Sequence, residues 1–178
     1  MHPQKRLLIF IILIGGLAVV GSYVLGVLAR PEAARALWGG VPEGIQSIIS
    51  INMFLGAAGF FLFTYFIVFR LDAAVVRISD RYGYGLFHVI YAAILFPSAL
   101  WLPLTFLAVD QASVFLSWVV RLDLAVVGAA SIGLIAALLK ITPREPLRAY
   151  RLALVGTIPF TIQTVILDAL VWGWYFRL

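Results

Sequence analysis

The segment Val114–Leu139, VFLSWVVRLDLAVVGAASIGLIAALL, decides the fold of this chain. It is longer than the roughly 20 predominantly apolar residues that an α-helix needs to cross the hydrocarbon core of a bilayer. Four similar runs fill most of the remaining sequence: Leu7–Ala29, Ile45–Phe69, Leu86–Val109 and Leu152–Phe176. A helix satisfies its backbone hydrogen bonds internally, as lipid requires. The sequence therefore predicts an all-α integral membrane bundle of five transmembrane helices.

The composition supports a single membrane domain over residues 1–178. Hydrophobic residues make up 63% of the chain and charged residues 12%, whereas soluble domains carry about 25% charged residues. The absence of cysteine excludes disulfides, thiolate metal sites and thiol nucleophiles. His2 and His88 lie too far apart in the sequence for a usual histidine metal site, and a lone histidine such as His88 is most often a hydrogen-bonded interfacial residue. The run Leu7–Ala29 exceeds the about 7–15 residues of a secretory h-region, so we expect a retained helix.

Lysine and arginine in the short connectors predict the orientation, because they remain on the cytoplasmic side. Nine fall on one side of the predicted bundle: Lys5, Arg6, Arg70, Arg77, Arg81, Lys140, Arg144, Arg148 and Arg151. Three fall on the other side: Arg30, Arg35 and Arg177. The amino terminus is thus predicted inside and the carboxyl terminus outside. Topology setting is the favoured explanation of the inner cations, and attraction of anionic lipid headgroups is the alternative. No motif indicates nucleic-acid binding.

All five tryptophans fall in the outer half of the threaded bundle. They are Trp38, Trp101, Trp118, Trp172 and Trp174. An interfacial belt suits Trp172, Trp174 and Trp118, because indole rings settle at headgroup level. The inner face carries only tyrosines, however, and Trp101 lies deeper than a belt residue. A tryptophan-lined outer pocket is the competing interpretation, since small-molecule sites use aromatic walls.

Three ionisable residues lie deep inside predicted helices. Arg121 and Asp123 belong to the fourth helix and Asp168 to the fifth. Charges at such depth usually face a partner or a water-filled cavity. Arg121 and Asp123 are two residues apart and so do not face each other. Helices four and five are joined by a short loop and should be adjacent, which predicts an Arg121–Asp168 bridge and leaves Asp123 without a partner. The bridge either holds the helices together or contributes to a ligand site.

Other polar residues of the outer half are predicted to converge on the same region. They are Gln46, Ser47, Ser50 and Asn52 on the second helix, and Ser98 and Thr105 on the third. An asparagine inside the membrane, such as Asn52, is most often a helix–helix hydrogen bond.

The third helix carries a family resemblance. Trp101-Leu102-Pro103-Leu104-Thr105-Phe106 resembles the Trp-x-Pro-x-x-Phe element of the TspO/translocator-protein family, the tryptophan-rich sensory proteins. A long first loop containing Trp38 and Pro42, and Pro159-Phe160 in the fifth helix, are similar to further elements of that family. Ser98 stands where the family usually has asparagine. Gln163 replaces a tryptophan of the family pattern, and Asp168 lies nearest to its later Leu-Asn.

The resemblance implies a bundle that often forms a homodimer, with a pocket under the first loop for porphyrins, sterols or similar flat apolar molecules. A porphyrin or haem-like ligand is thus an implication of the family, and no other cofactor is predicted. The leading hypothesis is a membrane binding protein for a flat or lipidic small molecule. The expected site residues are Trp38 in a lid, Trp101, Pro103 and Trp118 at the walls, and Asn52, Arg121, Asp123 and Asp168 as polar groups.

Arg121 would suit a ligand carboxylate, because its guanidinium can engage both oxygens. Two alternatives remain open. The first is a transporter component, and the second is a structural subunit whose intramembrane charges bond to partner helices. An enzyme is least favoured, because no nucleophile–base pair or metal cluster is visible.

Overall fold

The computed structural model describes residues 1–30, 38 and 40–177. Five helical spans in it are long and apolar enough to cross a membrane, which confirms the predicted all-α, multi-pass membrane fold. Their helices are α1 (Pro3–Ala29), α2 (Glu43–Tyr65), α3 (Gly85–Asp110), α4 (Val114–Leu139) and α5 (Leu147–Thr161). A last short helix, α6, covers Gly173–Tyr175.

Two of the spans change from α-helical to π-helical hydrogen bonding before they end. Helix α2 continues as a π-helix over Phe66–Arg70, and helix α5 continues as a π-helix over Ile162–Trp172. Pro159 lies inside α5, shortly before the change. Proline has no N–H and its ring crowds the preceding turn, so a register change is favoured near it. π-Helical turns are uncommon and are often found at functional sites.

A two-stranded ribbon closes one end of the bundle. Strands β1 (Arg77–Ile78) and β2 (Ile141–Thr142) pair antiparallel and join the connectors that follow α2 and α4. Nearby, the buried Tyr84 hydroxyl donates to the Ile67 carbonyl oxygen at 3.1 Å, and burial raises the pKa of Tyr84. We call this the β-ribbon end. The opposite end, where α1, α3 and the fifth span finish and α2 and α4 begin, is the Trp-rich end. The sequence did not predict the ribbon.

The helices follow one another around the bundle in the order α1, α3, α4, α5, α2. Helix α1 packs along α3 and meets the second span mainly at its π-helical segment, at the β-ribbon end. Among the described residues, α1 and α2 therefore lack extensive packing in the Trp-rich half.

The closest helix contact joins α2 to α5. Gly59 and Gly156 face each other there, and a Cβ on either residue would overlap the backbone of the other. The large core of the β-ribbon half, which includes Phe63 and Tyr91, surrounds the inner part of this contact. His88 lies at the same end, with Nε2 2.8 Å from the Gln4 carbonyl oxygen. This hydrogen bond agrees with the expected structural role of His88.

Candidate ligand site at the Trp-rich end

Four aromatic rings from three helical spans form a continuous cluster in the Trp-rich half. The rings of Trp101 and Trp172 are 5.4 Å apart and meet edge to face at 74°. Tyr23 of α1 lies 5.7 Å from Trp101, and Phe176 stacks on Trp172 at 4.5 Å. Such geometries are the favoured arrangements of aromatic pairs. The cluster therefore offers flat apolar surfaces inside the bundle.

The structure differs from the sequence-based prediction for two of the tryptophans, Trp172 and Trp118. Trp172 was predicted to lie in an interfacial belt, but only 4% of it is exposed, so that prediction is wrong. Trp118 was predicted as a pocket wall, but it is 65% exposed and contacts no ring of the cluster among the described residues. Pro103 is also exposed, on the outer side of α3. Trp174 is 70% exposed and fits the belt. The position of a residue along its span predicts its depth in the membrane. Whether its side chain is buried depends on which helices pack against it.

Trp38 is half-buried against the residues of the Trp-rich half. It also lines an open groove of about 600 Å³ together with polar residues at the start of α2: Glu43, Gln46, Ser47 and Ser50. The rest of the predicted lid, including Arg35, lies outside the described residues. Trp38 thus belongs to this end of the bundle, as predicted, although its groove lies on α2 and not between Trp101 and Trp118.

Arg121 binds the end of the fifth span. Its Nε donates to the Gly173 carbonyl oxygen at 2.9 Å, and its Nη2 donates to the Phe176 carbonyl oxygen. Its Nη1 donates to both the carbonyl and the hydroxyl oxygen of Ser117, at 3.1 Å each. The guanidinium also lies over the Trp118 ring, 5.1 Å from its centre. Four of the five N–H donors of the side chain are thus engaged by the protein.

The predicted Arg121–Asp168 bridge does not form, because each residue has other partners. Carbonyl groups at a helix end have no intrahelical donor, so an arginine that reaches them satisfies strong acceptors. This competition could not be seen from spacing alone. Arg121 therefore acts as a clamp on the helix end, and the expectation that it is free to bind a ligand carboxylate has to be corrected.

A chain of hydrogen-bonded polar side chains links α2 to the π-helical part of the fifth span. Asn52 Nδ2 donates to the Pro159 carbonyl oxygen and to Gln163 Oε1, both at 3.0 Å. Gln163 Nε2 in turn donates to Asp168 Oδ1 at 2.7 Å. The helix–helix hydrogen bond expected of Asn52 is confirmed. Gln163 is the residue that sequence reasoning missed, although an amide in an apolar run was a signal for such a link.

The substitution Gln163→Leu should destabilise the fold, because it leaves Asp168 Oδ1 without its donor. We expect the free energy of unfolding to fall by about 1–3 kcal/mol. Thermal unfolding in detergent measures this, with Thr161→Val on the same span as the matched control. The Thr161 hydroxyl is buried without a hydrogen-bond partner, so its removal should cost almost nothing. Equal losses for both variants would contradict the role of Gln163.

Several polar side chains of the outer half that were expected to converge on one site instead donate hydrogen bonds to the backbone of their own helices. The Ser98 hydroxyl donates to the Ile94 carbonyl oxygen and the Thr105 hydroxyl to the Trp101 carbonyl oxygen, at 2.7 Å each. Ser50 similarly donates to Gln46. These side chains therefore do not converge on a common site as predicted.

Two other polar atoms of the Trp-rich half are buried without a hydrogen-bond partner among the described residues. They are Nε1 of Trp101, a donor, and Oδ2 of Asp123, an acceptor when the group is ionised. Buried polar atoms are usually paired, and Trp101 belongs to the aromatic cluster, so its unpaired donor calls for an explanation. Within residues 1–30, 38 and 40–177, no cluster of histidine, cysteine or acidic residues could hold a metal ion. The arrangement suits binding of an organic molecule through stacking and hydrogen bonds.

The chain matches no protein-family model, no curated protein and no solved structure. Its function has to be argued from its own geometry.

Proposed function

We propose that this protein binds a flat, apolar, membrane-dissolved molecule of porphyrin-like or sterol-like shape in the Trp-rich half of the bundle. The observation that carries the proposal is the cluster of Tyr23, Trp101, Trp172 and Phe176. Edge-to-face and offset rings favour further aromatic contacts, and large apolar side chains are the usual walls of small-molecule sites. The resemblance of Trp101–Phe106 to the TspO/translocator-protein element supports the same ligand class.

The sparse contact between α1 and α2 among the described residues of the Trp-rich half supports arrival of a ligand from the lipid phase. Tyr23 is the outermost ring of the cluster, with 39% of the residue exposed, and it covers Trp101 from the side of α1. Trp101 Nε1 is buried and has no hydrogen-bond partner among the described residues. In this proposal a ligand reaches it when the aromatic side chains rotate apart, beginning with Tyr23, the most exposed ring of the cluster.

Polar recognition in this proposal rests on the Trp101 indole and the Asn52–Gln163–Asp168 chain. The indole N–H would donate to a carbonyl, carboxylate or hydroxyl oxygen of the ligand, and Asp168 or Gln163 would accept from a hydroxyl group. Arg121 would act indirectly, by fixing the end of the span that carries Trp172. The positive-inside rule places the site in the outer half of the membrane, because the cationic connectors lie at the opposite end. A homodimer remains an implication of the family resemblance.

Substituting Trp101 by phenylalanine should weaken ligand binding without unfolding the protein. Phenylalanine keeps an aromatic ring but removes the N–H, which has no partner among the described residues. Loss of one net hydrogen bond predicts roughly a fivefold higher Kd. Titrations of purified protein in nanodiscs with protoporphyrin IX and, separately, with cholesterol measure the change by ligand fluorescence and by tryptophan fluorescence, respectively.

Trp174→Phe is the matched control, because this tryptophan lies on the same span but is 70% exposed. We expect its Kd to equal that of the unmodified protein. The absence of saturable binding with either ligand would contradict the proposal. Equal weakening by both substitutions would place the ligand in the surrounding lipid and not in the bundle.

A further inference from the structure

The β-ribbon end carries more cations than acidic residues. Nine lysines and arginines stand against three acidic residues, Asp72, Asp80 and Glu145, a formal net charge of +6. Among the described residues, the one ion pair within 4.0 Å is Arg30–Asp110, at the opposite end. None of the three acidic residues of this end therefore forms an ion pair with a described cation.

Six of these cations have exposed side chains that make no hydrogen bond, ion pair or ring contact in the described part of the chain. They are Arg70, Arg77, Arg81, Lys140, Arg148 and Arg151. Arg144 differs, because it donates to the Ile141 and Leu139 carbonyl oxygens and lies over Tyr150. The positive-inside rule accounts for the presence of cations here, but it does not require any particular surface shape.

A groove of about 640 Å³ lies at this end, where the second span ends and α5 begins, and Arg70 is the member of this set that lines it. Phe69 and Leu147 provide apolar walls, 67% and 49% exposed respectively, and Arg70 lies beside them. Asp72 and Glu145 also line the groove, and Asp72 Oδ1 accepts from the Ala74 backbone N–H at 2.9 Å. The groove thus combines exposed apolar walls with two carboxylates and one arginine that has no partner among the described residues, at the level where a membrane span ends.

We propose that this groove binds one anionic phospholipid, with its phosphate at Arg70 and its acyl chains along Phe69 and Leu147. The net charge of +6 at this end selects an anionic over a zwitterionic headgroup, because each nearby cation adds to the attraction. Arginine suits a phosphate, whose oxygens its planar donors can engage in pairs. This site lies at the opposite end from the Trp-rich cluster and is independent of the function proposed for that cluster.

Lipid-dependent thermal unfolding of the purified protein in detergent tests the proposal. Phosphatidylglycerol should raise the Tm at mole fractions at which phosphatidylcholine has little effect. Arg70→Gln should raise the phosphatidylglycerol fraction needed for half-maximal stabilisation roughly fivefold. High salt should weaken the effect, since exposed charges are screened.

Arg81→Gln is the matched control, because it removes an exposed, unpaired cation from the same end but outside the groove. A much smaller change for this variant would support a defined site. Equal changes for Arg70→Gln and Arg81→Gln would overturn it in favour of a diffuse electrostatic effect. Equal stabilisation by both lipids would overturn the selection of an anionic headgroup.

Discussion

Gly59→Ala is expected to lower the free energy of unfolding more than any other substitution that adds a single methyl group to this protein. A Cβ at this position would overlap the carbonyl group of Gly156, and a Cβ on Gly156 would lie 2.8 Å from the Gly59 carbonyl oxygen. The obstructing atoms belong to backbone, so no side chain can rotate to make room. Overpacking of this kind costs about 3 kcal/mol, because the two helices must separate.

Gly133→Ala is the control for this prediction. Gly133 lies inside α4, and a Cβ there would meet no atom within 4 Å. Alanine should be neutral or stabilising at that position by up to ~1 kcal/mol, because it is the better helix former. Thermal unfolding of both variants in the same detergent provides the comparison. A Gly59→Ala protein as stable as Gly133→Ala would show that α2 and α5 are not in backbone contact.

Replacing Arg121 by methionine is expected to have the second-largest effect. Methionine retains apolar length but removes the four hydrogen bonds to Ser117, Gly173 and Phe176. The carbonyl groups at the end of the fifth span then lose their donors, and the contact between Trp172 and Phe176 loses its support. We expect a loss of roughly 3 kcal/mol in the free energy of unfolding, because hydrogen bonds to charged groups are among the stronger ones.

Ligand affinity distinguishes the clamp from a direct ligand contact. If Arg121 acts through the helix end, Arg121→Met should weaken protoporphyrin IX, which carries carboxylates, and uncharged cholesterol by a similar factor. A much larger loss for protoporphyrin IX would restore Arg121 as a carboxylate ligand. Arg30→Met is the control for lost charge at the same end, because the Arg30–Asp110 pair is exposed and exposed pairs contribute little.

The fold could be predicted from the sequence because the bilayer imposes a length and a composition on each span. The five apolar runs correspond to the five observed spans, and their order along the chain fixes which connectors share an end. The β-ribbon, by contrast, consists of two residues from each of two distant connectors. Segments as short as Arg77–Ile78 carry no period that could have revealed the pairing.

The depth of the candidate residues could be predicted from the sequence, but the direction of several of their side chains could not. Depth follows from helical rise, so Trp101 and Asn52 were placed in the correct half. Whether a side chain is buried depends on which helices pack together. Trp118, predicted as a pocket wall, is therefore exposed, and Trp172, predicted in the interfacial belt, is buried. The π-helical register of Ile162–Trp172 also changes the direction of Asp168, which an ideal α-helix could not indicate.

Arg121 illustrates a further limit of reasoning from charge alone. The nearest opposite charge by topology was Asp168, but uncharged carbonyl groups at a helix end compete for the same donors. Gln163 then satisfies Asp168 from its own span. Both choices depend on where a helix ends in three dimensions, which the sequence specifies only indirectly.

Photolabelling tests the central claim most directly. A diazirine-bearing sterol would be bound to the protein in nanodiscs, activated by light, and its adducts located by mass spectrometry with and without excess unlabelled sterol. We predict adducts that competitor abolishes on the peptides that carry Tyr23, Trp101 and Trp172. Adducts confined to the exposed surfaces around Trp118 and Trp174, and unaffected by competitor, would contradict a ligand site inside the bundle.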